Sequence, residues 1–119
     1  MQHKTLADGR WAELSFCEQM ANVGSEVSRT KNWLIKGNEH QASKAFERCL
    51  ELIYLTIKFA NRPTIYREIC RFRELFIEAY LDKNFVELDY FDKYCTEFAY
   101  KKYASIANGS EQVEKTMNN

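Results

Sequence analysis

Residues 39–60 read EHQASKAFERCLELIYLTIKFA, and the spacing of their apolar positions decides the fold. Ala42, Phe46, Cys49, Ile53, Thr56 and Ala60 recur at steps of three, four or a doubled turn. That spacing puts side chains on one face of an α-helix. Leu50, Leu52, Leu55, Ile57 and Phe59 widen the stripe until the second half is apolar almost all round. A helix of this kind is central, or it packs on a second subunit as well as on its own core. The stretch therefore predicts a long helix from about Glu39 to Ala60 in an all-helical protein.

Working outward, Gly37-Asn38 ends a preceding helix by allowing a left-handed cap. That first helix starts near Ser15, where Ser15-Phe16-Cys17-Glu18 reads as a capping box. Phe16, Met20, Val23, Val27 and Leu34 mark its core face, and Gly24 permits close approach of a neighbour at a cost of about 1 kcal/mol in helix propensity. On the other side, Asn61-Arg62-Pro63-Thr64 breaks the chain. A third helix is predicted after Thr64 as its cap, with Ile65, Ile69, Phe72, Phe76 and Ala79 inward and an end near Leu81. A fourth is predicted from Leu88 or Asp89, with Phe91, Tyr94, Cys95 and Phe98 inward and Asn108-Gly109 as its stop. Four helices with short links predict an antiparallel four-helix bundle. The domain then covers residues 13–108, between a lead-in over 1–12, with Trp11 packed on the domain, and a polar tail over 109–119.

The 119 residues suffice for one domain and one core, with 45% hydrophobic and 14% aromatic residues. Seventeen Lys and Arg balance 17 Asp and Glu, so bulk electrostatic binding of nucleic acid or anionic membrane is disfavoured. One Pro and four Gly disfavour a turn-rich β fold and a Gly-rich phosphate loop. No apolar run is long enough to span a membrane, and the N-terminus lacks a signal-peptide pattern, so a cytoplasmic location is expected. Cys17, Cys49, Cys70 and Cys95 are widely spaced and form no metal-ligand pair with each other or with His3 and His40. They read as small buried hydrophobes, one per helix. No Walker loop, dinucleotide fingerprint, Ser/His/Asp set or H-E-x-x-H is present, and no cofactor or metal is expected.

The third helix contains Arg71-Phe72-Arg73-Glu74-Leu75-Phe76-Ile77-Glu78-Ala79-Tyr80-Leu81. Here the chain resembles the HEPN family, small dimeric helical bundles that include ribonuclease toxins and partners of minimal nucleotidyltransferases. The family motif is an Arg, a polar residue and, four to six residues on, a His; one branch adds a Tyr two residues after it. Arg73, Glu74 and Tyr80 match, and Glu78 stands at the His position. The resemblance implies a homodimer, and the apolar excess of the second helix between Cys49 and Phe59 also predicts one, through that helix or the face of the third and fourth. It also implies work with RNA, a nucleotide or a nucleotidyltransferase partner, as in a toxin–antitoxin-like pair. Metal-independent RNA cleavage needs a proton-transfer group near neutral pKa, which imidazole supplies and an ordinary carboxylate does not. The replacement of His by Glu78 therefore turns the expectation towards a non-enzymatic binding or interaction protein. The alternative is a metal-independent ribonuclease using Arg73, Glu78 and Tyr80.

Two further constellations stand out. Gln19, Asn22, Glu26 and Arg29, with Ser25 beside them, form a polar stripe on the first helix. Placed near Arg73, the stripe would make an anion site of Arg29 and Arg73, oriented by Glu26 and Glu78, with Asn22 alongside. The competing expectation is a closed ion-pair network or an ordinary exposed face. Tyr90, Tyr94, Tyr100 and Tyr103, beside Lys93, Lys101 and Lys102, could stack bases but at helical spacing suit a core or interface better.

Overall fold

The computed structural model describes residues 9–107, with side chains from Gly9 to Lys101. Its elements are a short α1 (Trp11–Glu13) and four long helices, α2 (Phe16–Ile35), α3 (Glu39–Lys58), α4 (Pro63–Leu81) and α5 (Phe85–Ala107). No strand occurs among the described residues, and no helix there is long and apolar enough to cross a membrane. The expected Asn108-Gly109 stop, the polar tail and residues 1–8 lie outside the described residues.

The boundaries follow from local hydrogen bonds. At the start of α2, the Ser15 hydroxyl accepts from the Glu18 amide at 3.1 Å and the Glu18 carboxylate accepts from the Ser15 amide at 3.3 Å. At its end Gly37 takes φ 77°, and the Gly37 and Asn38 amides donate to the Leu34 and Trp33 carbonyls. That is the paired bond of a Schellman cap. Asn38 then caps α3, its side-chain oxygen accepting from the Gln41 amide at 3.1 Å. α3 ends at Lys58, two residues short of the expected Ala60. α4 begins at Pro63, one residue before the expected Thr64 cap, with extended Arg62 ahead of it. Proline suits the first helical position, where its missing N–H would have had no partner. α5 starts at Phe85, three residues earlier than the Leu88 expected from the buried stripe.

Cross-helix contacts set the directions. Along α2 and α3, Val23 meets Cys49 and Glu26 meets Arg48, while Trp11 ahead of α2 meets Thr56. Along α2 and α5, Phe16 meets Phe98 and Lys31 meets Asp89 and Asp92. Phe46 of α3 lies against Phe76 and Tyr80 of α4. Phe72 of α4 lies against Phe91 and Tyr94 of α5. Two anchor points each thus set α2 antiparallel to α3 and to α5; α3 and α5 both also contact α4, and α2 and α4 are not among the closely approaching pairs.

Close backbone approach is concentrated between α2 and its neighbours α3 and α5. Gly24 is one cause: a Cβ built there would stand 2.6 Å from Cys95 Cβ. α4 stands off on the rings of Phe46, Phe72, Phe76 and Phe91. The core also begins earlier than the periodicity indicates. Trp11 is fully buried, its indole Nε1 donates to Thr56 Oγ1 at 3.3 Å, and its carbonyl accepts from Gln19 Nε2 at 2.9 Å. Those bonds satisfy the polar groups buried with it.

Candidate functional site

The helix that carries the motif residues is α4. Its wheel places Ile69, Phe72, Phe76 and Ala79 inward, and all four are buried. At 100° per residue, Arg73 and Glu78 stand about 140° apart around the axis. Arg73 is on the flank towards α3, in line with Tyr66 and Tyr80 at seven-residue steps. Glu78 is on the flank towards α5. There it lines a cleft of about 250 Å³ with Leu75, Asp82 and Glu87, among others. Arg73, Glu74 and Glu78 are exposed, and none has an ion pair among the described residues. Tyr80 is half-buried, its ring stacked on Phe46 with centroids 3.8 Å apart and planes 6° from parallel. Tyr66 is 50% exposed.

The polar stripe of α2 has another surrounding. Glu26 is buried, and its carboxylate accepts from Arg29 Nη1 at 2.6 Å and from Arg48 Nε at 3.2 Å. Gln19 is also buried, against Trp11. Asn22 is exposed and donates to the Glu18 carbonyl at 2.9 Å. Ser25 donates to the Ala21 carbonyl at 3.3 Å. Glu26 and Arg29 are therefore brought together, as the stripe suggests. The second arginine on Glu26 is Arg48 of α3, and no hydrogen bond or ion pair joins Arg73 or Glu78 to this group. Arg48 lies 22 residues from Glu26, so helical spacing carries no signal of their pairing.

Among the tyrosines, Tyr90 and Tyr100 are exposed. Tyr94 is half-buried against Phe72 and Phe98, and its hydroxyl donates to Glu68. Burial, then the hydrogen bond to Glu68, pushes the Tyr94 phenol well above its ordinary range. Glu68, Arg71, Phe72, Leu75, Tyr90, Phe91 and Tyr94 line an open, mainly apolar cleft of about 180 Å³ between α4 and α5. The side chains of Lys102 and Tyr103 lie outside the described part. Cys49 and Cys95 are buried, while Cys17 and Cys70 are half-buried, so only two of the four are core residues. Burial, with Asp92 next, pushes the Cys95 thiol up to about 12, and burial raises Cys49 as well. Both are protonated near neutrality and are poor nucleophiles. No group of three His, Cys, Asp or Glu able to hold a metal ion occurs among the described residues.

Compared with protein-family models, with curated proteins and with solved structures, the chain matches none.

Proposed function

We propose that this protein is a non-enzymatic binding protein of HEPN-like four-helix-bundle type, with single-stranded RNA or a nucleotide as the ligand of α4. The observation that carries this reading is the Tyr66–Arg73 stripe: an exposed arginine without a carboxylate partner among the described residues, in line with an exposed tyrosine. A guanidinium in that state can take a phosphate through two parallel hydrogen bonds. A tyrosine one stripe position away offers a face on which a base can stack. Against the ribonuclease alternative stands the carboxylate of Glu78 at the position of the imidazole, the side chain that supplies a proton-transfer group near neutral pKa. The resembled family includes partners of minimal nucleotidyltransferases, so a nucleotidyltransferase is the protein partner that the same reading implies.

Fluorescence anisotropy with a short single-stranded RNA tests the reading. Wild type should bind and leave the RNA intact, and Arg73→Ala should weaken binding at least about tenfold, the loss of one solvent-exposed guanidinium–phosphate contact. Absence of binding, or equal binding by Arg73→Ala, removes the proposal. RNA cleavage without metal, abolished by Arg73→Ala, would establish the ribonuclease instead.

A further inference from the structure

Glu68 and Arg71 stand three residues apart on α4, a spacing at which opposite charges ordinarily pair. They form no ion pair with each other. The Glu68 carboxylate turns across to α5 instead and accepts from the Tyr94 hydroxyl. Arg71 is exposed and has no ion pair among the described residues. A pairing that the helix offers is thus left open, and it is left open at the edge of a cavity.

That cavity is the cleft of about 180 Å³ between α4 and α5, which Glu68 and Arg71 both line. Its apolar wall is built on Phe72 and Phe91, both buried, with ring centroids 5.4 Å apart and planes at 75°. Tyr94 extends the wall from Phe72 with centroids 5.7 Å apart, and Tyr90 extends it from Phe91 at 5.6 Å. Leu75 and Tyr90 at the mouth are 40% and 61% exposed. Four rings at edge-to-face or offset spacing, open to solvent on one side, favour a further ring as guest. The volume sets its size. Drug-sized ligands occupy roughly 300–1,000 Å³, so this cleft suits one ring with a short chain rather than a whole nucleotide.

Charge then selects the head group. An aromatic acid would pair with Arg71 but meet Glu68 as repulsion, and an aromatic amine would do the reverse. A nucleotide brings only negative charge to its head group, and a residue inside a peptide brings neither sign. A free aromatic amino acid carries an ammonium and a carboxylate on one carbon, next to its ring. We propose that the α4–α5 cleft binds a free single-ring aromatic α-amino acid, phenylalanine being the simplest, with its ring against Phe72 and Phe91, its carboxylate on Arg71 and its ammonium on Glu68. The guanidinium can take a carboxylate through two parallel hydrogen bonds. Glu68 has a second carboxylate oxygen besides the one that accepts from Tyr94. The inference goes beyond the RNA reading above: Arg73 lies on the flank towards α3, and either site can be filled while the other is empty.

Amide-resolved NMR titrations test it with four probes: L-phenylalanine, 3-phenylpropanoate, 2-phenylethylamine and L-alanine. A ligand of about a dozen heavy atoms at an open site should bind with a Kd near 1 mM. L-phenylalanine should shift amides of Arg71, Leu75, Tyr90 and Tyr94 saturably and leave Val23 and Cys49 unmoved. The two single-charge analogues and L-alanine should bind at least about threefold more weakly. Arg71→Gln should weaken L-phenylalanine and 3-phenylpropanoate but not 2-phenylethylamine. Glu68→Gln should weaken L-phenylalanine and 2-phenylethylamine but not 3-phenylpropanoate. A merely structural role for either side chain would weaken all ring-bearing probes alike, and that result overturns the proposal. So do shifts that never saturate by about 20 mM L-phenylalanine, well above the expected Kd, saturable shifts that lie outside the cleft, and equal binding of the four probes. Should a variant lose helicity, the order of the four probes on wild type decides alone.

Discussion

Gly24 and Lys83 occupy positions where glycine matters for different reasons. Gly24 has ordinary helical backbone, and its lack of a side chain serves packing: Cys95 Cβ would lie 2.6 Å from an added Cβ. Lys83 has φ 52° at the end of α4, where its amide and that of Asn84 donate to Tyr80 and Ala79 carbonyls. It closes the same kind of cap that Gly37 closes after α2, with a side chain that pairs with Glu39. At Gly24 two effects compete. Alanine would gain about 1 kcal/mol in helix propensity, but it would force α2 and α5 apart at this close approach. Overpacking a close contact typically costs 1–3 kcal/mol, and here the obstructing atom is a Cβ, which cannot rotate away. Gly24→Ala should therefore lower stability by about 1 kcal/mol net. Chemical denaturation is the check, and a midpoint at or above that of wild type would show that the approach relaxes freely.

At the scale of the helices, the sequence was legible wherever a boundary rests on a local bond. Ser15 with Glu18, and Gly37, act as their spacing indicates because partners lie within three or four residues. The start of α5 was not legible from its stripe. Phe85 and Val86 are exposed, so they belong to no buried face, and the stripe begins only at Leu88. The boundary is set by Asn84, whose side-chain oxygen accepts from the Glu87 amide at 3.1 Å while its backbone N–H closes the α4 cap. One residue thus serves two helices, through its backbone for the first and its side chain for the second. Asn84→Ala keeps the backbone bond and removes the side-chain cap, so it should cost about 1 kcal/mol. Amide exchange should rise at Glu87 and leave Leu81 unchanged; equal loss of protection in both helices would contradict this division. For the candidate site, the angular separation of Arg73 from Glu78 could be read from their five-residue spacing. Pairing of Glu26 with Arg48 could not, since it depends on which helix lies beside α2.

For the molecule as a whole, α2 is the element on which α3 and α5 close, and the α2–α5 contact carries a charge network whose pH response can be worked out. Lys31 Nζ donates to Asp92 at 2.6 Å and to Asp89 at 3.4 Å, and Ser28 Oγ donates to Asp92 at 2.7 Å. The Asp92 hydrogen bond, opposed by burial, holds Lys31 above its ordinary value. Hydrogen bonds from Lys93 and then Lys31 hold Asp89 below the ordinary carboxylate range. Since Lys31 is raised on folding, its contribution is full below the unfolded value of about 10.4 and is lost as pH rises through the higher folded value. Asp89 is lowered, so its contribution is full above about 3.9 and is lost as pH falls through the lower folded value. Stability should therefore be level across neutral pH with respect to this network and fall at both ends. Lys31→Met keeps much of the side-chain volume and removes the charge. It should lower the plateau by about 1 kcal/mol, as Asp92 retains only Ser28. The variant should also lose the alkaline decline attributable to Lys31 and keep a reduced acid decline, because Lys93 still holds Asp89. Thermal melts of wild type and Lys31→Met from acid to alkaline pH read all three effects, and superimposable profiles would mean that α2 and α5 are held by packing alone.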